Sequence, residues 1–209
     1  LGFRVVVPGV RCCGRPMLSK GMLEKARRNA RYNVERVYPF IERGAKLVGL
    51  EPSCIRSFKD DYVDLLDGDP RGTAVQASTM LIEEFVLYAA EEHGAQIKTN
   101  GSPGKLMLHG HCHQRALVGT NAAMQVLRSL SPDAEEIQSG CCGMAGSFGF
   151  EKEHYDLSMD IGELVLFPAI RDQEGDFTVV SEGVSCRQQI EHGTGRKARH
   201  LVEVLADAI

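Results

Sequence analysis

Residues 140–149 read Gly140-Cys141-Cys142-Gly143-Met144-Ala145-Gly146-Ser147-Phe148-Gly149. Two adjacent thiols head the run, a glycine follows at once, and a helix-like segment begins near Glu151. Arg11-Cys12-Cys13-Gly14 repeats the device, again ahead of a helix-like stretch. Glycine lets backbone come close to a bound group. The chain therefore reads as a scaffold that presents two cysteine pairs to a metal.

Outward from these pairs, strands alternate with helices. Phe3–Pro8 is a short β-branched run that predicts a buried parallel strand leading into the first pair. Met17–Gly44 has helical periodicity through Leu23, Ala26, Ala30, Val34, Val37 and Ile41, with Ser19 as its N-cap and Gly44 as its stop. Lys46–Leu50 predicts a strand, followed by Cys54 and a short helix to about Leu66. Gln76–Glu92 predicts a helix, and Asn100–Gly104 a linker. Lys105–His109 predicts a strand before the loop Gly110-His111-Cys112-His113-Gln114, and Arg115–Leu130 a helix. Glu135–Gln138 is a short strand before the second pair, Glu151–Arg171 a long helix, Phe177–Ser181 a strand, and a helix closes the chain from about Ala198. This alternation predicts an α/β fold with parallel strands. Ligand groups in such folds sit at the carboxyl ends of strands, where these cysteines fall.

The two halves resemble each other. Strand, Cys-Cys-Gly, long helix, strand and Ser-Cys occur once from Val5 to Cys54 and again from Glu135 to Cys186. The pair and its single cysteine are 41 positions apart in the first copy and 44 in the second. The expected architecture is two similar repeats, residues 1–104 with a connecting helix and residues 105–209, each a small parallel sheet with flanking helices and cysteines at the strand ends. The second copy has a further cysteine, Cys112, ahead of its pair. The first would need its counterpart upstream of Leu1, so the sequence reads as the C-terminal part of a longer polypeptide.

Composition sets the class. The 209 residues are 43% apolar and 25% charged, with a formal net charge of −4 and no Trp. This is ordinary globular usage, without a general pull toward nucleic acid. No apolar run reaches the length of a membrane span, and no secretory pattern opens the chain. Seven cysteines, in vicinal pairs and odd in number, do not suit a secreted disulfide scaffold; they favour metal or redox work in the cytoplasm.

Cys112, Cys141, Cys142 and Cys186 make a four-thiolate set, the complement of a four-iron, four-sulfur cluster and also of a structural zinc. No Cys-x-x-Cys is present, and the ligands come from three separate strand ends. Neighbouring side chains point apart, so a vicinal pair suits a multinuclear cluster better than one tetrahedral ion. Cys12, Cys13 and Cys54 form a partial first set of three visible cysteines. Helix N-termini after the cysteines stabilise anionic sulfur. Arg15, Arg56, Arg115 and Arg187 lie within a few residues of a cysteine, where they offset cluster charge or serve as surface arginines. Around Cys112, His113 directly follows a ligand and is the favoured candidate to support cluster sulfur; His109 and His111 read more readily as structural histidines. His154 and Tyr155 read as packing. Gly143–Gly149 imitates a dinucleotide fingerprint weakly, and Gly193-Thr194-Gly195-Arg196-Lys197 a phosphate loop. A Cys112/His113 nucleophile would leave six cysteines without a role.

The repeated plan resembles the cysteine-rich CCG domain found in one of the subunits of heterodisulfide reductases, in the iron–sulfur subunits of glycolate oxidase and anaerobic glycerol-phosphate dehydrogenase, and in lactate-utilisation proteins. His109-Gly-His-Cys-His-Gln114, followed by Cys141-Cys-Gly-Met-Ala-Gly-Ser-Phe-Gly-Phe-Glu-Lys-Glu-His-Tyr155, is similar to the C-terminal part of bacterial fused FAD-linked oxidases of the D-lactate or D-2-hydroxyglutarate dehydrogenase type. The resemblance implies an iron–sulfur portion of an FAD-dependent oxidoreductase, incomplete as a catalyst by itself. FAD would lie in a missing flavin domain, with a ferredoxin-like domain in the same longer chain or a partner subunit. Electrons would pass to a quinone or another acceptor, in the cytoplasm or at the inner face of the membrane. Cys112, Cys141, Cys142 and Cys186 would bind the second cluster, with His113, His111, Arg187 and Arg15 around the clusters; Cys12, Cys13 and Cys54 would be the remains of the first. Many members end each repeat in Cys-x-x-Cys, where this chain has Glu51 and Gly183. The competing readings are a zinc-stabilised interaction domain without redox function and a heterodisulfide or thiol–disulfide reductase.

Overall fold

The computed structural model describes residues 1–97 and 99–209. The chain is α/β, with small parallel sheets and flanking helices, and divides into two compact units, Leu1–Phe85 and Val86–Ile209.

In the N-terminal unit, α1 (Arg15–Ser19) follows the first cysteine pair and α2 (Leu23–Ile41) supplies one wall of the core. The single helix expected from Met17 is two helices. Gly21 takes a left-handed φ of 69° between them, and Ser19 ends α1 instead of capping a longer helix. Ala26, Ala30, Val34 and Val37 are buried along one face of α2, the stripe that helical periodicity requires. They join a core with Ile55, Phe58, Tyr62, Leu65, Val75 and Leu81.

β1 (Leu47–Gly49) leads into α3 (Pro52–Arg56), which Glu51 caps by accepting from the Ser53 N–H. Cys54 is thereby the third residue of a helix just past a strand end. A π-helical turn, Ser57–Asp61, and α4 (Tyr62–Leu65) continue it. α5 (Pro70–Ser78) starts at Asp69, whose side chain accepts from the Arg71 N–H. β2 (Thr79–Leu81) pairs in parallel with β1, and α6 (Ile82–His93) follows. The helix expected over Gln76–Glu92 is therefore interrupted by a strand. Thr79-Met80-Leu81 is short and lies within an apolar run, so periodicity does not separate it from helix. The strand expected at Phe3–Pro8 is not formed. Val5 and Val7 are 82% and 89% exposed, and this stretch joins no ladder among the described residues. β-branched composition favours a pleated surface only where a neighbour strand supplies one.

In the C-terminal unit, β3 (Lys105–Leu108), β4 (Glu135–Glu136) and β5 (Phe177–Val180) form a parallel sheet in the order β4-β3-β5. Leu108 lies opposite Glu136 on one side and Val180 on the other. Two further hydrogen bonds, His109 N–H to Val180 O and Ile137 N–H to Leu108 O, both 2.8 Å, carry the pairing past the strand ends. The three ends are thus level. Any residue a few positions beyond one strand is delivered to the same edge as its counterparts beyond the other two.

α7 (Cys112–Leu117) and α8 (Asn121–Leu130) follow β3; Gly119, at φ 75°, divides the helix expected over Arg115–Leu130. After β4 and the second cysteine pair come two short 3₁₀ turns, then α9 (Tyr155–Glu163) and α10 (Leu166–Arg171) in place of one long helix. The fold back at Leu164-Val165 lets the Phe167 ring pack on Gly162, where a Cβ would stand 2.2 Å from the ring. α11 (Val184–Thr194) carries Cys186 and α12 (Leu201–Ala208) closes the chain. Met107, Ile137, Met144, Leu166, Phe167, Ile170, Val179 and Ile190 form the core behind the cysteine edge. None of the helices among the described residues is long and apolar enough to cross a membrane.

Candidate metal centre

Cys112 begins α7 because His111 caps that helix, its Nδ1 accepting from the His113 N–H at 3.2 Å. Cys141 and Cys142 follow β4, and Cys186 is the third residue of α11 beyond β5. Level strand ends therefore bring together residues up to 74 positions apart in the chain. The Sγ atoms of Cys142 and Cys186 are 3.4 Å apart. Cys141 interacts electrostatically with both Cys112 and Cys142, so the four sulfurs neighbour one another in the order 112–141–142–186. The Gly143 N–H donates to Cys141 Sγ at 3.3 Å.

The electrostatics of this chain alternate. Hydrogen bonds from Cys112 and Cys142, aided by the backbone N–H groups of Gly143 and Ala145, hold the Cys141 thiol far below its ordinary range. The Cys142 hydrogen bond, and after it His109, holds Cys186 well below its own. Cys112 and Cys142 are pushed up, first by the sulfurs they donate to and then by burial. Two of the four sulfurs are thus drawn toward thiolate and two toward thiol. Metal cations in place of the thiol protons would satisfy all four, and thiolate is the form that binds metal. This donor set fits an iron–sulfur cluster, which four thiolates hold.

An imidazole nitrogen of His109 and the sulfurs of Cys142 and Cys186 all lie within 4.8 Å of one another, and all three residues are buried. His109 Nδ1 is 2.9 Å from Ser139 Oγ. The sequence favoured His113 over His109, and the geometry reverses their places. His113 is half-buried, with its ring edge-on to His111 at 5.3 Å. His111 is buried and fills the space beside Gly183, where a Cβ would be 2.4 Å from His111 Cδ2 and 3.1 Å from Cys186 Sγ. Gly183→Ala is accordingly expected to displace the imidazole or the α11 start, at about 1–3 kcal/mol, read as a lower denaturation midpoint.

The four arginines near cysteines are held by protein acceptors. Arg15 pairs with Asp61, Arg56 is fully buried and 3.2 Å from Glu84, and Arg115 donates to the Ser139 carbonyl. Arg187 donates to the Ser181 and Glu182 carbonyls at 3.0 and 2.7 Å, which fixes the loop ahead of Cys186. His154 stacks on Phe148 and pairs with Glu151 at 3.0 Å, and Tyr155 sits edge-on to His192. In the Gly193–Lys197 turn, Arg196 lies over the Phe177 ring and donates to the Phe177 carbonyl, so its guanidinium finishes the sheet.

The N-terminal unit gathers a second, more open set. Cys13 hydrogen-bonds with Cys54 and Cys12, and its thiol is lowered to about 6, chiefly by Cys54. Cys54 is pushed up chiefly by the same contact. Cys13 is buried, whereas Cys12 and Cys54 are exposed. Asn33 and Tyr62, both fully buried, hold the backbone here. The Asn33 amide donates to Tyr62 Oη at 2.8 Å and to the Arg11 carbonyl at 3.2 Å, and Tyr62 donates to the Cys13 carbonyl at 2.9 Å. Sequence reading missed this pair, since α2 periodicity marks Asn33 only as a polar residue beside the apolar stripe. Tyr62→Phe is expected to leave buried polar groups unsatisfied, costing about 1–3 kcal/mol, measurable by chemical denaturation.

The chain has homologues at 24–30% identity over most of its length. One of the subunits of the anaerobic glycerol-3-phosphate dehydrogenase of Escherichia coli K12 is 30% identical over 95% of this chain and 50% of its own length. The D-2-hydroxyglutarate dehydrogenase of Pantoea ananatis is 28% identical over the whole of this chain and 20% of its own length. The glycolate oxidase iron–sulfur subunit of Escherichia coli K12 is 24% identical over 95% of this chain and 48% of its own. The chain thus spans about half the length of the first and third and about a fifth of the second. No family model matches it.

Proposed function

We propose that this chain is the iron–sulfur electron-transfer portion of a flavin-dependent D-2-hydroxyacid dehydrogenase of the D-lactate type. The observation that carries this reading is the continuous chain of four cysteine sulfurs at one edge of a parallel sheet, supplied by three separate stretches. A bound cluster, of the four-iron, four-sulfur type, supplies one-electron transfer from flavin toward a quinone or other acceptor. Cys112, Cys141, Cys142 and Cys186 hold it. The Gly143 N–H stabilises charge on the Cys141 sulfur, and the buried apolar residues behind the edge keep water from that side. Relatives that are oxidoreductases or their subunits, one of them named for iron and sulfur, support this role. The flavin and ferredoxin-like domains belong to the same longer chain or to a partner subunit.

The two-repeat plan, 1–104 and 105–209, belongs to the same proposal. In both copies the glycine after the cysteine pair is left-handed and sits against a fully buried small residue of the next long helix: Gly14 on Ala26, Gly143 on Ser158. The first copy, with Cys12, Cys13 and Cys54, takes zinc or a cluster that draws a further ligand from elsewhere.

Protein isolated under strict anaerobiosis should be brown, contain iron and acid-labile sulfide, and give a paramagnetic resonance signal in one redox state. A colourless protein with zinc alone would overturn the proposal. That outcome would favour a second reading, a zinc-stabilised domain without redox function, which the close grouping of His109, Cys142 and Cys186 also suits.

A further inference from the structure

We infer that His109 is a fifth protein group of the C-terminal centre, a positioning residue that donates an Nε2–H hydrogen bond to the Cys186 sulfur and is aimed by Ser139. The inference rests on the electron-carrier reading above. It starts from backbone placement. His109 directly follows the central strand, and its N–H is bonded to the Val180 carbonyl, so its Cα is set by the sheet instead of a loose loop. The residue is 1% exposed.

Ser139 engages one of the two ring nitrogens. Its hydroxyl takes Nδ1 at 2.9 Å. Ser139 is itself buried, two residues before Cys141, with its N–H on the Ile137 carbonyl and its carbonyl held by Arg115. In the tautomer we infer, this hydroxyl donates to Nδ1 and the hydrogen sits on Nε2; a ring nitrogen of His109 lies within 4.8 Å of both the Cys142 and Cys186 sulfurs. His111 is placed comparably near Cys186. Its Nδ1 accepts from the His113 N–H, while Nε2 and Cδ2 face Gly183. The bare glycine makes room for that ring. Both imidazoles thus stand near Cys186, and a ring nitrogen of His109 lies within 4.8 Å of both buried sulfurs.

A donor to cysteine sulfur stabilises the more negative, reduced state of a cluster and raises its potential. His109→Leu removes the donor at similar bulk, and His109→Gln keeps an N–H near the same place. In a redox titration followed by paramagnetic resonance, the Leu variant should shift to a more negative midpoint with wild-type iron and sulfide. Gln should move the midpoint back toward wild type, and Ser139→Ala should shift it in the same direction as Leu by less. An unchanged midpoint in the Leu variant overturns the inference and leaves the carrier reading standing. Wild-type protein free of iron and sulfide overturns both. If the Leu variant fails to fold, pulsed resonance on wild-type protein carrying ¹⁵N-histidine decides: a weak histidine nitrogen coupling with an exchangeable proton supports the hydrogen bond. No coupling, or the strong coupling of a directly ligated nitrogen, overturns it.

Discussion

Gly143→Ala should lower the stability of the C-terminal unit more than any other single-methyl addition in the cysteine loop. A Cβ at this position would lie 1.9 Å from the Ser158 carbonyl oxygen and 2.8 Å from its carbon, distances that require backbone movement. The oxygen cannot simply retreat, because Gln189 Nε2 donates to it at 3.0 Å from within the core. Gly143 also has φ 101°, where a side chain is strained whatever the space. Backbone strain and overpacking each cost about 1–3 kcal/mol, so the sum is about 2–6 kcal/mol, set against a total of about 5–15 kcal/mol for a folded domain. The Gly143 N–H is the donor to Cys141, so the sulfur chain should be disturbed as well, and buried thiols should become reactive to an alkylating reagent. Gly140→Ala is the control. It lies one residue before the cysteine pair, a Cβ there meets nothing within 4 Å, and its φ is not left-handed. It should leave the denaturation midpoint nearly unchanged, and equal losses in the two variants would sink the argument.

The contrast between Gly140 and Gly143 shows what sequence reading delivered. Both glycines flank the same cysteine pair, and the run Gly140–Gly149 announced a tight loop at a site. Which glycine is obligatory depends on α9, packed from beyond two 3₁₀ turns, and no local pattern encodes that contact. The alternation of strands and helices was legible because parallel sheets demand it, and so were the positions of the cysteines relative to β1, β3, β4 and β5. Helix lengths were not. Gly21 and Gly119 sit inside acceptable helical periodicity, and their interruptions come from left-handed turns that periodicity averages over. The strand Thr79–Leu81 hid in an apolar stretch for the same reason. The run Phe3–Pro8 had strand composition without a ladder, a reminder that β propensity describes a surface to fit and not a backbone habit. His109 was visible as one of three alternating histidines. Its rank depended on the level ends of β3 and β5, a register that only the folded sheet reveals.

Cys186→Ser should remove the iron and sulfide of the C-terminal unit, whereas Cys12→Ser should leave them in place. The two cysteines differ in what surrounds them. Cys186 is 2% exposed, touches Cys142 at 3.4 Å, and stands at one end of the four-sulfur chain beside two buried imidazoles. Serine there offers an oxygen whose hydroxyl does not ionise near neutral pH, in a pocket arranged for an anionic sulfur. Loss of hydrogen-bonded support around a metal ligand already weakens retention by about 10–100-fold, so loss of the ligand itself should exceed that range. Cys12 is exposed and belongs to the other set, tied to Cys13 and Cys54 in the N-terminal unit. Each set is built inside its own compact unit. Iron and sulfide per chain, measured after anaerobic gel filtration, separate the possibilities. Parallel loss from both variants would mean that the seven cysteines serve one shared centre. Retention in Cys186→Ser would mean that the sulfurs at this sheet edge gather for packing, because buried cysteine without metal behaves as a small hydrophobe and tolerates such a change at the cost of stability alone.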